Sequence, residues 1–273
     1  MGTSIELVRP FSRPASLRMA MLDFDGTLSL IRAGWLSVMA SMMVEALLAL
    51  QSGESEAALR AETVAMIHRT TGEPTPVQME ALRAAITARG GNPPSNDACM
   101  DRYRDRLGAV IGARRDAVAS GREPAARYLV PGARGLLDGL SQRGISMILA
   151  SGTDHDQVVL EAELLGITPY FNLGICGAVP PPAVFSKDLL VERLTREGLY
   201  RGEEMLAFGD GPVEIAAVAR AGGVAVGVAS DEQFPGRLDT GKRERLIAAG
   251  AHLIVPDFAE HQALLHSLFD EGV

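Results

Sequence analysis

From Pro131 to Val255 short apolar runs alternate with helix-like stretches, and one further run of the same kind, Met19-Ala20-Met21-Leu22, stands alone about a hundred residues ahead of them. The later runs are Ile145 to Ala150, Leu173 to Val179, Met205 to Phe208, Val224 to Ala229 and His252 to Val255. Helical patterns around Arg134 to Arg143 and from about Asp156 to Leu165 fall between them. Short apolar runs bounded by turn residues read as strands buried on both faces. Their alternation with helices implies a parallel sheet covered on each side. The isolated first strand, residues 18 to 23, belongs to the same sheet, so the chain that builds the sheet is interrupted.

The interruption is helical. Trp35, Val38, Met39, Met42, Met43, Ala46, Leu47 and Leu50 recur at helical spacing, and no strand pattern appears between Leu28 and Leu129. Turn residues at Gly72 to Pro76 and Gly90 to Pro94 divide the stretch into several helices. The expected fold is α/β: a Rossmann-like doubly wound parallel sheet core built from residues 1–29 and 128–273, with an inserted helical domain over 30–127. The methionine stripe reads as that domain's own core rather than a ligand groove, because methionine fills irregular gaps.

Composition narrows the function. A chain of 273 residues has ample apolar content for a packed core, and its net charge of −8 argues against nucleic acid or an anionic membrane as main partner. Only two of the 26 basic residues are lysines, Lys187 and Lys242. Lys242 lies in the charged stretch Asp239 to Arg245 and is expected on a solvated helix face. The arginines at 102, 104, 106, 114 and 115 alternate with Asp101, Asp105 and Asp116, as on a salt-bridged surface. Cys99 and Cys176 have no paired spacing and read as buried thiols. Met1 to Arg18 lacks the apolar core of a signal peptide, Gly2 lacks a myristoylation context, and Glu45 interrupts the most apolar window, Leu36 to Leu50. The expectation is a cytoplasmic protein, monomer or homodimer, without nucleic-acid or membrane partners.

Chemistry concentrates where strands end. Asp23-Phe24-Asp25-Gly26-Thr27 follows the first strand and can project two carboxylates into a cleft at its carboxyl end, where open α/β sheets bind ligands. A bound cation would compensate their burial, although Asp25-Gly26 also suits an ordinary turn. Ser151-Gly152-Thr153 follows Ala150 and could hold an anion on amides ahead of a helix, or Thr153 or Asp154 could simply cap that helix. Gly209-Asp210-Gly211 ends another strand with Glu214 one helical turn later. These oxygen ligands, with no His or Cys nearby, suit Mg2+; the alternative for Asp210 is a helix-capping turn residue. Lys187 follows a loop stiffened by Pro180 to Pro182 and opens a helix, where its charge opposes the dipole.

In this order, Asp-x-Asp, Ser after a strand, Lys, then Gly-Asp-x-x-x-Glu, the motifs resemble the four signatures of the haloacid dehalogenase superfamily, with the insert resembling a type-1 cap. Within that superfamily the chain looks like the phosphoglycolate phosphatase and beta-phosphoglucomutase-like members. Glu214 stands where aspartate is commoner, and Gly211 replaces the usual small polar residue.

The resemblance implies that Asp23 attacks phosphorus and that Asp25 protonates the leaving alcohol and then activates water. It implies that Asp23, the Asp25 main-chain carbonyl and Asp210, with Glu214 behind, hold Mg2+, and that Ser151, the Gly152 amide and Lys187 bind phosphoryl oxygens. The implied substrate is a small phosphorylated metabolite such as a sugar phosphate. Arg32, Trp35, His68, Arg69 and Gln78 are candidates to face the cleft. Readings to be separated from a phosphatase are a phosphomutase using the same residues and a non-catalytic binding protein on the same fold.

Overall fold

The structure is a computed structural model that describes residues 4–11, 17–70, 75–179, 186–232 and 234–269. By contact the chain forms two compact units, Met1–Ala33 with Arg115–Val273, and Gly34–Arg114.

The larger unit is built on a seven-stranded sheet: β1 (Glu6–Leu7), β2 (Met19–Leu22), β3 (Ser146–Asp154), β4 (Ile175–Ala178), β5 (Met205–Gly209), β6 (Val224–Val228) and β7 (Leu253–Val255). The spatial order is β1-β7-β6-β5-β2-β3-β4, parallel throughout except that β1 runs antiparallel to β7. Every residue of β2, β5 and β6 is buried, which is why these strands read as unbroken apolar runs. β2 lies between β3 and β5: from β2 the chain builds outward through β3 and β4, then crosses back to β5 on the other side, so the order reverses at β2. The crevice at the carboxyl ends of β5, β2 and β3 is therefore the topological switch point.

Two elements depart from the sequence expectation. β1 has only two residues and no alternation to reveal it. Ser151-Gly152-Thr153 does not turn away after Ala150: β3 continues extended to Asp154, across a register shift against β4, before its helix begins at His155. Gly177 permits this path, since a Cβ there would lie 2.5 Å from the His155 Cα.

The helical unit contains α1 (Trp35–Leu48), α2 (Glu56–Arg69), α3 (Thr75–Ala88) and most of α4 (Asn96–Ala119). Met39, Met42, Met43, Leu47, Met66 and Met79 are buried against one another with Ile67, Leu82, Ile86 and Tyr103, the packed core expected of the stripe. The surface arginines pair as expected in part: Arg106 and Arg102 reach Glu45, and Arg104 reaches Asp101. Gly72 to Pro74 of the first expected turn, and the Pro180 to Pro182 loop, lie outside the described residues.

Residues 30–33 and 115–127 cluster with the sheet unit. Leu30 donates its amide to Tyr128 and Val130 donates to Leu28, so the outgoing and returning segments pair beside the sheet. Among the described residues the remaining α-helices are α5 (Ala133–Gln142), α6 (His155–Leu164), α7 (Lys187–Arg196), α8 (Pro212–Arg220), α9 (Thr240–Ala249) and α10 (His261–Phe269). Among the described residues no helix is long and apolar enough to cross a membrane. Both cysteines are free thiols, Cys99 buried and Cys176 half-buried.

Candidate active site

β2 delivers Asp23 at the point where its ladder with β5 ends, the Asp23 amide donating to the Phe208 carbonyl at 2.9 Å. The chain then turns sharply: Leu28 and Ser29 both donate to the Phe24 carbonyl, and Gly26 takes a φ of +72°. That conformation favours glycine. The space demands it as well, because a Cβ on Gly26 would lie 2.2 Å from Asp210 Oδ2.

Asp23 is buried, and its Oδ1 accepts from Lys187 Nζ at 2.6 Å. The same ammonium donates to Glu214 Oε2 at 2.8 Å. Lys187 reaches both from the first turn of α7, whose N-cap Ser186 accepts from the Leu189 amide. Glu214 sits in the first turn of α8, and its Oε1 accepts from the Gly211 amide at 2.9 Å. Gly209 gives it room, since a Cβ there would lie 2.1 Å from Glu214 Oε1.

Asp23, Asp210 and Glu214 each offer a carboxylate oxygen within 4.8 Å of the others. Burial pushes the Asp23 carboxyl well above its ordinary range, Lys187 opposes this, and the Glu214 and Asp210 charges add to it. Burial lowers Lys187, but Asp23 and Glu214 outweigh it and hold the ammonium above its ordinary value.

Asp210 does not cap α8, whose N-cap is Gly211. It faces Lys242 instead, with Oδ2 2.7 Å from Nζ. This corrects the expectation of a solvated lysine: the Lys242 side chain is 12 % exposed and also donates to Glu232 Oε1 at 3.0 Å. Asp239 accepts from the Lys242 amide and so caps α9, placing Lys242 in that helix's first turn. Both lysines of the chain thus oppose a helix dipole and are held there by carboxylates. The dipole opposition that singles out Lys187 in the sequence holds equally for Lys242.

Asp25 occupies a second, more open environment. Its Oδ2 accepts from Thr153 Oγ1 at 2.8 Å and lies 3.5 Å from Ser151 Oγ. Its Oδ1 is buried without a hydrogen-bond partner, 3.6 Å from Arg32 Nε. Burial raises its pKa to about 6 against the lowering influence of Arg32 and Thr153. Thr153 therefore spends its hydroxyl on Asp25 rather than capping α6, and Asp154, the N-cap, makes no side-chain cap bond. Ser151 is buried, and its hydroxyl also accepts from the Thr153 amide. Gly152 is exposed, with nothing within 4 Å of where a Cβ would stand.

Arg32 is anchored by Glu161, a fully buried carboxylate of α6, at 2.8 and 3.3 Å. Arg115 also binds Glu161 and is not the surface arginine its sequence context suggests. Neither partner is legible from the sequence, where a mid-helix glutamate reads as solvated. Trp35 and Gln78 belong to the helical unit: Trp35 packs against that unit's core, and Gln78 is buried with its amide 3.5 Å from the Thr70 carbonyl. His68 and Arg69 are exposed at the end of α2.

The cluster fits a hard divalent cation. All donors are oxygens, and the four carboxylates Asp23, Asp210, Glu214 and Glu232 face two ammonium groups, leaving two negative charges if all are ionised.

Residues 17–222 match the family model of the haloacid dehalogenase-like hydrolases. No curated protein matches the chain in sequence. Among solved structures, a predicted phosphoglycolate phosphatase from Haemophilus somnus is similar at 17 % identity and a TM-score of 0.57, covering 91 % of this chain and 97 % of its own. A HAD family hydrolase from Deinococcus radiodurans, solved with bound phosphate and sodium, is similar at 18 % identity and a TM-score of 0.58, over 93 % and 97 % of the two chains. A beta-phosphoglucomutase from Clostridium difficile is similar at 13 % identity and a TM-score of 0.57, over 92 % and 97 %.

Proposed function

The chain belongs to the haloacid dehalogenase-like hydrolases, and on that premise we propose that it is an Mg2+-dependent phosphatase that hydrolyses a small phosphorylated metabolite, of the sugar-phosphate kind, through an aspartyl-phosphate on Asp23. The observation that carries this reading is the contrast between two carboxylates two residues apart. Asp23 is buried against Lys187, whereas Asp25 is more open, holds a hydroxyl donor and has a pKa raised to about 6. One is suited to act as a nucleophile and the other to exchange a proton near neutral pH.

In the first step an Asp23 carboxylate oxygen bonds to phosphorus, the bond to the substrate alcohol breaks, and the departing oxygen takes the proton of Asp25. In the second, Asp25 accepts a proton from water as that water attacks phosphorus, and the bond to Asp23 breaks to release inorganic phosphate. Lys187, the Ser151 hydroxyl and the Gly152 amide are the donors for phosphoryl oxygens. Asp23, the Asp25 main-chain carbonyl and Asp210, with Glu214, are the residues that would hold Mg2+, which supplies positive charge against the repulsion between nucleophile and phosphate. Arg32, fixed by Glu161 beside Asp25, is assigned to the substrate side. The Deinococcus relative, with phosphate and sodium bound, supports the same pair of ligand classes, an oxyanion and a cation. A cytoplasmic setting completes the reading, supported by two free thiols.

The test is phosphate release from a panel of sugar phosphates, phosphoglycolate and nucleotides, with Mg2+ and with EDTA, for wild type and Asp23→Asn. Metal-dependent release that disappears in the variant supports the proposal. Release undiminished in Asp23→Asn overturns the mechanism. Slow release that depends on a bisphosphate activator assigns the chain to phosphomutases.

A further inference from the structure

Lys242 is absent from the four motifs, yet a local architecture holds its ammonium on Asp210. Nζ lies 2.7 Å from Asp210 Oδ2, 3.0 Å from Glu232 Oε1 and 3.4 Å from Ser230 Oγ. Ser230 in turn donates to the Gly26 carbonyl, tying this lysine to the turn that follows Asp23. Gly26 clears the space: a Cβ there would lie 3.1 Å from Nζ and 2.2 Å from Asp210 Oδ2. Side-chain exposure is 12 % for Lys242, 18 % for Asp210 and 15 % for Glu232, so the pair is sheltered rather than a surface accident.

An ammonium on one oxygen of a carboxylate leaves the other oxygen as the donor to a cation. Mg2+ demands compact octahedral geometry and takes single oxygens, whereas Ca2+ accepts both oxygens of a carboxylate in a larger, looser shell. Resting on the Mg2+ part of the proposed function, we infer that Lys242 is a positioning residue that restricts Asp210 to one-oxygen coordination and thereby favours Mg2+ over Ca2+. Its charge alone would not do this, because one positive charge weakens two divalent cations alike. The ratio of the two affinities therefore separates positioning from electrostatics.

The experiment is calorimetric titration of the metal-free protein with MgCl2 and with CaCl2, for wild type, Lys242→Met and Glu232→Gln, with circular dichroism to check folding. Freed to chelate through both oxygens, Asp210 should shift the Mg2+ to Ca2+ affinity ratio toward Ca2+ by about tenfold in Lys242→Met. Glu232→Gln, which loosens the second anchor of the ammonium, should move the ratio the same way by less. It decides the matter if Lys242→Met does not fold. Equal changes in both affinities reduce Lys242 to a bystander charge and overturn the inference, as does an unchanged ratio. Failure of the folded wild type to bind either cation overturns the Mg2+ reading itself and this inference with it.

Discussion

Arg32 is held by the fully buried Glu161 at 2.8 Å and brings its guanidinium to 3.6 Å from Asp25 Oδ1. The contact ties α6 to the turn after β2 through charge rather than through the apolar core. Arg115 approaches the same carboxylate, so Glu161 compensates two guanidinium groups that are each less than a fifth exposed.

Glu161→Gln should therefore be among the more damaging single changes outside the motifs. It leaves both arginines without their shared counter-charge, and removing one partner of a buried ion pair costs about 3 kcal/mol. Urea denaturation of the metal-free protein measures this. Arg104→Ala, which breaks an exposed pair with Asp101, is the control and should leave the midpoint unchanged. Equal midpoints for wild type and Glu161→Gln would show that the pair contributes nothing.

Asp25 makes stability depend on pH in a defined direction. Its pKa is raised from the ordinary value of 3.8 to about 6 by burial, so between those values the folded state holds a proton that the unfolded chain has released. Its stabilising contribution is thus fully present below about pH 4 and is lost as pH rises to about 6. With its side chain 30 % exposed, solvent screening reduces the effect to about 1–2 kcal/mol. Denaturation of wild type and Asp25→Asn in EDTA between these pH values checks the sign. The wild type should lose stability relative to the variant as pH rises, and a gain would contradict the assignment.

Gly26→Ala tests the turn. The substitution meets an unfavourable positive φ, and its Cβ would fall 2.2 Å from Asp210 Oδ2. The backbone strain costs about 1–2 kcal/mol, and the displaced carboxylate should lose cation affinity as well. Denaturation and calorimetric Mg2+ titration report the two losses separately. A variant with wild-type values for both would mean that Asp210 moves aside freely.

The legible part of this molecule is the part whose cause is local. The strand over Met19–Leu22 declares itself through an unbroken apolar run, and Asp23, Asp25 and Asp210 stand where such runs stop. Lys187 can be singled out because a lysine at a helix start needs a reason. Lys242 meets the same criterion but is hidden by neighbouring charges, and its partner Asp210 lies far back in the sequence, brought near only by the return of α9. Glu161 and Arg115 are unreadable for a related reason: burial of a helical glutamate depends on which face the helix presents, and that is decided by tertiary packing. β1, two residues paired antiparallel to β7, is too short to show alternation.

Lys187 should be coupled energetically to cation binding. In the metal-free protein its ammonium is the compensating charge for both Asp23 and Glu214. Lys187→Met leaves these carboxylates facing each other, and loss of the buried partner costs about 3 kcal/mol. A divalent cation can supply much of the missing charge. Mg2+ at a hundred times its Kd stabilises a folded protein by about 2.7 kcal/mol, and tighter binding at the more negative site should make the increment larger in the variant than in wild type. Thermal melts of both proteins in EDTA and in Mg2+ measure the two increments. On the proposed mechanism phosphate release should stay low in the variant even when Mg2+ restores its stability, because Lys187 is there a donor to the phosphoryl oxygens. Equal Mg2+ increments in the two proteins would mean that Lys187 and the cation do not share these carboxylates, and would overturn the charge balance assigned to the site.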